Sequence, residues 1–180
     1  MANEVDLEKL KYPIGMFSFT PPTTTEHRQE RVAELAATTA RLREAVAGLS
    51  EDQLDTPYRP GGWTVRQVAH HLADASMQGY TRTKLALTED TPPVKPFDED
   101  PWAALIDSTS LPVEPSLQLM DGLYTRWITL LKSLPPEAFA KGFQHPQTGF
   151  NTLDRMLAFF VWHGKHHTAH ITSLRERNGW

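Results

Sequence analysis

The chain predicts an all-α protein: a four-helix bundle with one long crossover and short extra helices. Three observations lead there. Four long stretches carry apolar residues at helical spacing. Proline- and glycine-bearing breaks separate them. The break that opens with Thr91-Pro92-Pro93-Val94-Lys95-Pro96 is too long for a tight antiparallel turn, so one connection crosses over.

Residues 1–22 read as an irregular arm, with Tyr12-Pro13-Ile14-Gly15-Met16-Phe17 offering groups to anchor it on the body; residues 23–180 read as one domain. The first helix is expected from Thr24 to Leu49, on the spacing of Val32, Leu35, Ala36, Leu42, Val46 and Leu49. Pro57, Pro60, Gly61 and Gly62 break the chain after it. Thr64 and Gln67 form a capping box that starts the second helix, which runs to about Thr88. The crossover holds a short helix at Trp102–Asp107, with Pro101 near its first turn. The third helix spans about Pro115 to Leu134 and turns Leu117, Met120, Leu123, Tyr124, Trp127, Leu130 and Leu131 inward. Pro135-Pro136 ends it, a short helix follows to Ala140, and Gln144 to Asn151 is a loop. The fourth helix runs from about Thr152 to Arg177 and stops at Asn178-Gly179.

Length and composition suit an ordinary globule. The chain has 180 residues, 39% hydrophobic and 22% charged, enough for one domain with a real core. A net charge of −4 without a Lys/Arg cluster gives no nucleic-acid footprint. With no cysteine there is no disulfide, no thiolate zinc site and no cysteine nucleophile. Met1-Ala2-Asn3-Glu4-Val5-Asp6 lacks the features of a signal peptide, and the longest apolar run, Met156 to Trp162, is too short to cross a bilayer. The expected location is the cytoplasm, with no membrane partner.

Six of the eight histidines fall in two segments, His70-His71 and His163 to His170. Neutral imidazole is a common ligand of transition metals, and three histidines with an open position make a catalytic rather than a structural centre. Helical phase selects among them. With His163 at zero, His167 lies at about +40°, inside the stripe made by Met156, Phe160, Ile171 and Leu174. His170 falls at about −20°, a borderline position, and His166 at about −60°, on the solvated side. On the second helix His71 borders the face of Val65, Val68, Leu72, Ala75 and Gly79, while His70 points nearly opposite. The expected metal ligands are therefore His71, His163 and His167, drawn from two helices.

The chain also resembles a known family, the DinB superfamily of metal-binding four-helix bundles, and within it the YfiT-like metal-dependent hydrolases. The resemblance covers almost the whole chain. It rests on Gln53-Leu54-Asp55-Thr56-Pro57-Tyr58-Arg59, Gly61 to Val68, His70-His71-Leu72-Ala73-Asp74, Lys84 to Glu89, and Trp162-His163 through His170-Ile171-Thr172. It implies an up-down-down-up bundle, a homodimer, and one divalent ion per chain, zinc or nickel, on His71, His163 and His167. Its relatives also include thiol transferases that join bacillithiol or a similar small thiol to an electrophile.

The residues around the expected site decide less. His163-Gly164-Lys165-His166-His167 lacks the glutamate of H-E-x-x-H, against protease-like mechanics. Asp74, one turn after His71, is a catalytic candidate that would orient a ligand or accept a proton. Trp63 reads as a core anchor, Arg66 as a surface or interface charge, and His145 as a loop histidine that could line the site mouth. The leading expectation is a hydrolase acting on a small molecule, with the ion activating water. The alternatives are a metal-dependent S-transferase using a low-molecular-weight thiol, and a non-catalytic metal-binding stress-response protein. A fourth protein ligand, His170 first among them, would favour the last.

Overall fold

Local sequence signals set where four of the helices begin. In the computed structural model, which describes residues 7–180, Thr64 accepts from the Gln67 N–H while the Gln67 side chain accepts from the Thr64 N–H. That reciprocal pair satisfies two otherwise orphaned donors at the start of α5. Thr24 and Thr152 cap two further helices by side-chain acceptance alone, from the His27 and Arg155 N–H groups, and Gly179, at φ 69°, closes the last one in the left-handed region.

In chain order the elements are α1 (Leu7–Lys11), α2 (Thr25–Ala36), α3 (Thr38–Val46), α4 (Glu51–Leu54), α5 (Val65–Thr88), α6 (Glu99–Ala103), α7 (Ile106–Ser110), α8 (Glu114–Ser133), a 3-10 turn (Pro136–Ala140), strands β1 (Gly142–His145) and β2 (Gly149–Thr152), and α9 (Leu153–Asn178). The α2–α3 pair, α5, α8 and α9 form the four-helix bundle.

Side-chain pairings give the topology. Arg28 meets Asp154 and Arg175 donates to the Ala45 carbonyl, so α9 runs parallel to α2–α3. Arg43 meets Glu114 and Asp121, and α8 therefore opposes α3. Ser76 bonds Tyr124, and a Cβ on Gly79 would fall 2.5 Å from Trp127, so α5 and α8 run parallel. The bundle is up-down-down-up, and the crossover through α6 and α7 returns the chain to the start level of α5.

The core centres on Trp127, which is fully buried with Leu35, Leu42, Leu72, Met120, Leu153 and Ile171. Gly79 allows the closest approach: any side chain there would strike both Trp127 and Phe160. Burying such rings and branched aliphatics contributes about 1.5–3 kcal/mol each.

Several expectations need correction. The first helix is broken at Ala37 (φ −81°, ψ 0°), and Arg41 reaches back to donate to the Glu34 carbonyl at 2.6 Å. The crossover holds two short helices, and Ser50-x-x-Gln53 starts another, α4. The segment expected as a loop is an antiparallel hairpin with His145 opposite Gly149. Its signal is the glycine, at φ 74°, closing a three-residue turn. On α8, Ile128 is buried while Leu123 and Leu130 are half-exposed. Arg66 is 3% exposed rather than a surface charge, bonding Glu51, Asp55 and the Leu111 carbonyl. In the arm, residues 1–6 lie outside the described ones and residues 7–11 form a helix. Trp162 donates to the Gly15 carbonyl, and Phe17 packs edge-on against Phe159. No helix among the described residues is long and apolar enough to cross a membrane.

Candidate metal centre

His71 lies on the second turn of α5, in a register fixed by the Thr64 cap, and His163 and His167 stand one turn apart on α9. The two helices run antiparallel, and the three rings meet between them. Gly164 lets α9 close on α3: a Cβ there would fall 2.7 Å from the Thr38 methyl.

Each ring offers a nitrogen within 4.8 Å of the other two, and the Nε2 atoms of His71 and His163 are 3.2 Å apart. Two nitrogens bound at about 2.0–2.1 Å to one tetrahedral ion would be about 3.4 Å apart, so the observed spacing fits. Exposures of 3%, 8% and 9% keep the rings from water. Burial, reinforced by the neighbouring histidines, lowers the pKa of His71 to about 3 and those of His163 and His167 well below the usual 6.5. All three are neutral at pH 7, the form that binds metal. The buried Nδ1 atoms of His71 and His167 have no hydrogen-bond partner, a trait they share with His166 and His170.

Aromatic rings wall the cluster. Trp63, held by its Nε1–H to Asp100, lies 4.6 Å from His71 between ring centres and stacks over His167. It is at once a packed core residue and a wall of the site. Phe97 stacks on His71 and Phe159 on His163. One side stays open. A cleft of about 580 Å³ reaches His71 and His163, with His145 on its rim.

The remaining expected residues are placed elsewhere. Asp74 makes no hydrogen bond to His71; its half-buried carboxyl faces Asp107, and burial and that charge raise its pKa to about 6. His70, on the opposite face, is buried, with its nitrogens on the Ser116 hydroxyl and the Leu111 carbonyl. His166 is also buried, stacked 4.4 Å from Trp162, because the arm covers that face of α9. His170 bonds the Lys11 carbonyl at 3.0 Å and stacks on Tyr58. It stands outside the three-histidine group, which among the described residues has no fourth protein ligand.

The sequence reasoning passed over two cleft residues, Arg82 and Arg155. A signal existed: His71, Ala75, Gln78 and Arg82 form one stripe on α5, and Arg155 stands two turns before His163 on α9.

Comparisons with known proteins agree with the bundle fold. The sequence pattern described as the DinB superfamily matches residues 34–171. A Bacillus cereus protein named "Putative metal-dependent hydrolase" is 49% identical over 174 residues, spanning 97% of this chain and all of its own. A similarly named protein of Bacillus thuringiensis subsp. konkukian is 48% identical over the same span. Among solved structures, YfiT from Bacillus subtilis, described as "a probable metal-dependent hydrolase with an unusual four-helix bundle topology", matches with a TM-score of 0.93 and 46% identity, over 96% of this chain and 99% of its own. With more than half its length matched by the family pattern and relatives near half identity along its whole course, the chain belongs to the DinB superfamily.

Proposed function

We propose that the protein is a metal-dependent hydrolase of small molecules, with one divalent ion held by His71, His163 and His167. One observation carries the reading: three neutral imidazoles converge at the head of an open cleft without a fourth protein ligand. A metal buffer would favour a closed sphere instead. The ion would supply Lewis acidity and water of lowered pKa. The imidazole set suits zinc or nickel.

The chain's own residues hold the imidazoles neutral, exclude bulk water with Trp63 and Phe159, and admit substrate from one side. His145 lines the cleft with its Nδ1 taken by the Gln147 N–H at 3.3 Å, and burial lowers its pKa, so its neutral ring offers an Nε2–H donor to a substrate. Names of the relatives support hydrolysis. We also propose a cytoplasmic homodimer; exposed Leu105 and Ile106 on the crossover support a covered apolar face.

The test starts with metal content, expected at about one ion per chain. Fully metallated protein is then assayed against ester and amide substrates in thiol-free buffer, with and without chelator. Chelator-sensitive hydrolysis supports the proposal. Turnover seen only with an added small thiol and an electrophile would replace hydrolysis with S-transfer, for which this cysteine-free chain requires an external thiol. Neither reaction would leave a metal-binding protein.

A further inference from the structure

The cleft that begins at the histidines ends between two arginines. Arg82 lies eleven residues beyond His71 on α5, and Arg155 eight before His163 on the antiparallel α9. At 1.5 Å per residue both stand roughly 12–16 Å from the histidines along the bundle axis, on the same side of it. Between them the floor is apolar: Ala75, Met156, Phe159 and Phe160.

Among the described residues, neither arginine is tied to a carboxylate, as four others are. Arg28, Arg41, Arg43 and Arg66 each pair with a carboxylate. Among the described residues, Arg82 and Arg155 form no ion pair, and neutral groups orient them. Arg82 donates to the Lys95 carbonyl at 3.0 Å with its guanidinium 5.9 Å from the Phe143 ring centre. Arg155 donates through Nε to Asn151 at 3.0 Å and lies over Phe17 and Phe19. Asp98 and Glu99 also line the cleft, and Glu99 acts on Arg82 from beyond ion-pair distance. Burial works against the charge on Arg82, a cost that an incoming anion would relieve. A planar guanidinium fixed by an aromatic face presents its remaining N–H groups in the fork that suits an oxyanion.

We infer that Arg82 and Arg155 form an oxyanion-recognising end of the cleft, and that the substrate is an elongated small molecule with a carboxylate or phosphate at one end and its reacting group at the histidines. The inference rests on the hydrolase reading for the role of the histidine end. Anchoring the far end would hold the reacting group in place with binding energy taken from a non-reacting part of the molecule.

Three probes of similar shape test it by calorimetry on the full chain: 4-phenylbutyrate, phenyl phosphate and the neutral 4-phenylbutanamide. The anionic probes should bind at least about tenfold more tightly than the amide, and more weakly as salt rises. Tighter binding of the carboxylate or of the phosphate names the natural group. Arg82→Gln and Arg155→Gln should each weaken the anions about tenfold and leave the amide unchanged. Arg82→Lys, a gentler change, should fall between, and Arg126→Gln, outside the cleft, should do nothing. Equal binding of anion and amide, or an equal loss in Arg126→Gln, overturns the inference. His167→Ala, stripped of metal, should still prefer the anions. Anion selectivity in a protein without chelator-sensitive hydrolysis would remove only the catalytic reading. Hydrolysis without anion selectivity would remove only this one.

Discussion

Two sets of three histidines occupy this bundle, and burial does not separate them. The inner set, His71, His163 and His167, is 3–9% exposed, and the outer set, His70, His166 and His170, is 3–6% exposed. Unpartnered nitrogens do not separate them either, since His166 and His170 share that trait with His71 and His167. Convergence does. The inner rings bring three nitrogens within 4.8 Å across two helices. Outer rings are directed outward, to Ser116 and Leu111, to Trp162, or to Lys11 and Tyr58. A buried histidine is thus a ligand candidate by its company.

The widest gap between the sets should appear in metal affinity. His167→Ala is expected to weaken divalent-ion binding by about a thousandfold or more, because two imidazoles hold an ion poorly. His166→Ala, one residue away, should change affinity less than about threefold while lowering the thermal midpoint through the lost stacking against Trp162. Metal titration and thermal melts of the two variants read both effects. Comparable losses of affinity would erase the distinction.

Acid should act on both sets together in the metal-free protein. Their pKa values are lowered on folding, to about 3 for His71 and about 4 for His166 and His170, chiefly by burial. The unfolded chain therefore takes up protons first, near pH 6.5. Stability is fully present above that pH and falls as pH drops through about 6.5 to 4, by up to about 1.4 kcal/mol per pH unit for each histidine. Chemical denaturation at pH 7, 6 and 5 measures it. His166→Phe should flatten the slope by one group, and an unchanged slope would show that His166 does not titrate on unfolding.

The smallest effect is expected at His70. His70→Ala leaves the Ser116 hydroxyl and the Leu111 carbonyl without this partner, costing about 1–3 kcal/mol. Metal affinity should not move. A loss of affinity would mean that α5 shifts as a unit and that the outer set supports the inner one.

The same contrast explains what was legible beforehand. Periodicity reports which face of a helix meets the bundle core, and that face carried His71, His163 and His167 together with Met156 and Phe160. It does not report what covers the opposite face. The arm reaches His166 through Tyr12 and His170 through the Lys11 carbonyl, and the segment following α7 reaches His70 through Leu111. These covers come from chain more than forty residues distant, which no local pattern encodes. Arg66 escaped in part for the same reason, since it donates to the Leu111 carbonyl across 45 positions, while its carboxylates Asp55 and Glu51 lie 11 and 15 positions before it. The hairpin was missed over a single cue, Gly149, and the break at Ala37 has no glycine or proline to announce it.

The up-down-down-up course also has a meaning in time. His71 and its partner His163 are separated by 92 positions, with the crossover, α8 and the hairpin between them. At about 5–20 residues per second on the ribosome, His71 waits roughly 5–18 s before its partners exist. Until α9 follows, the apolar side of α5 has at most α8 against it, and the three histidines cannot come together. On the proposed reading, loading of an ion would belong to the end of synthesis, when one event can clasp the first half of the chain to the last.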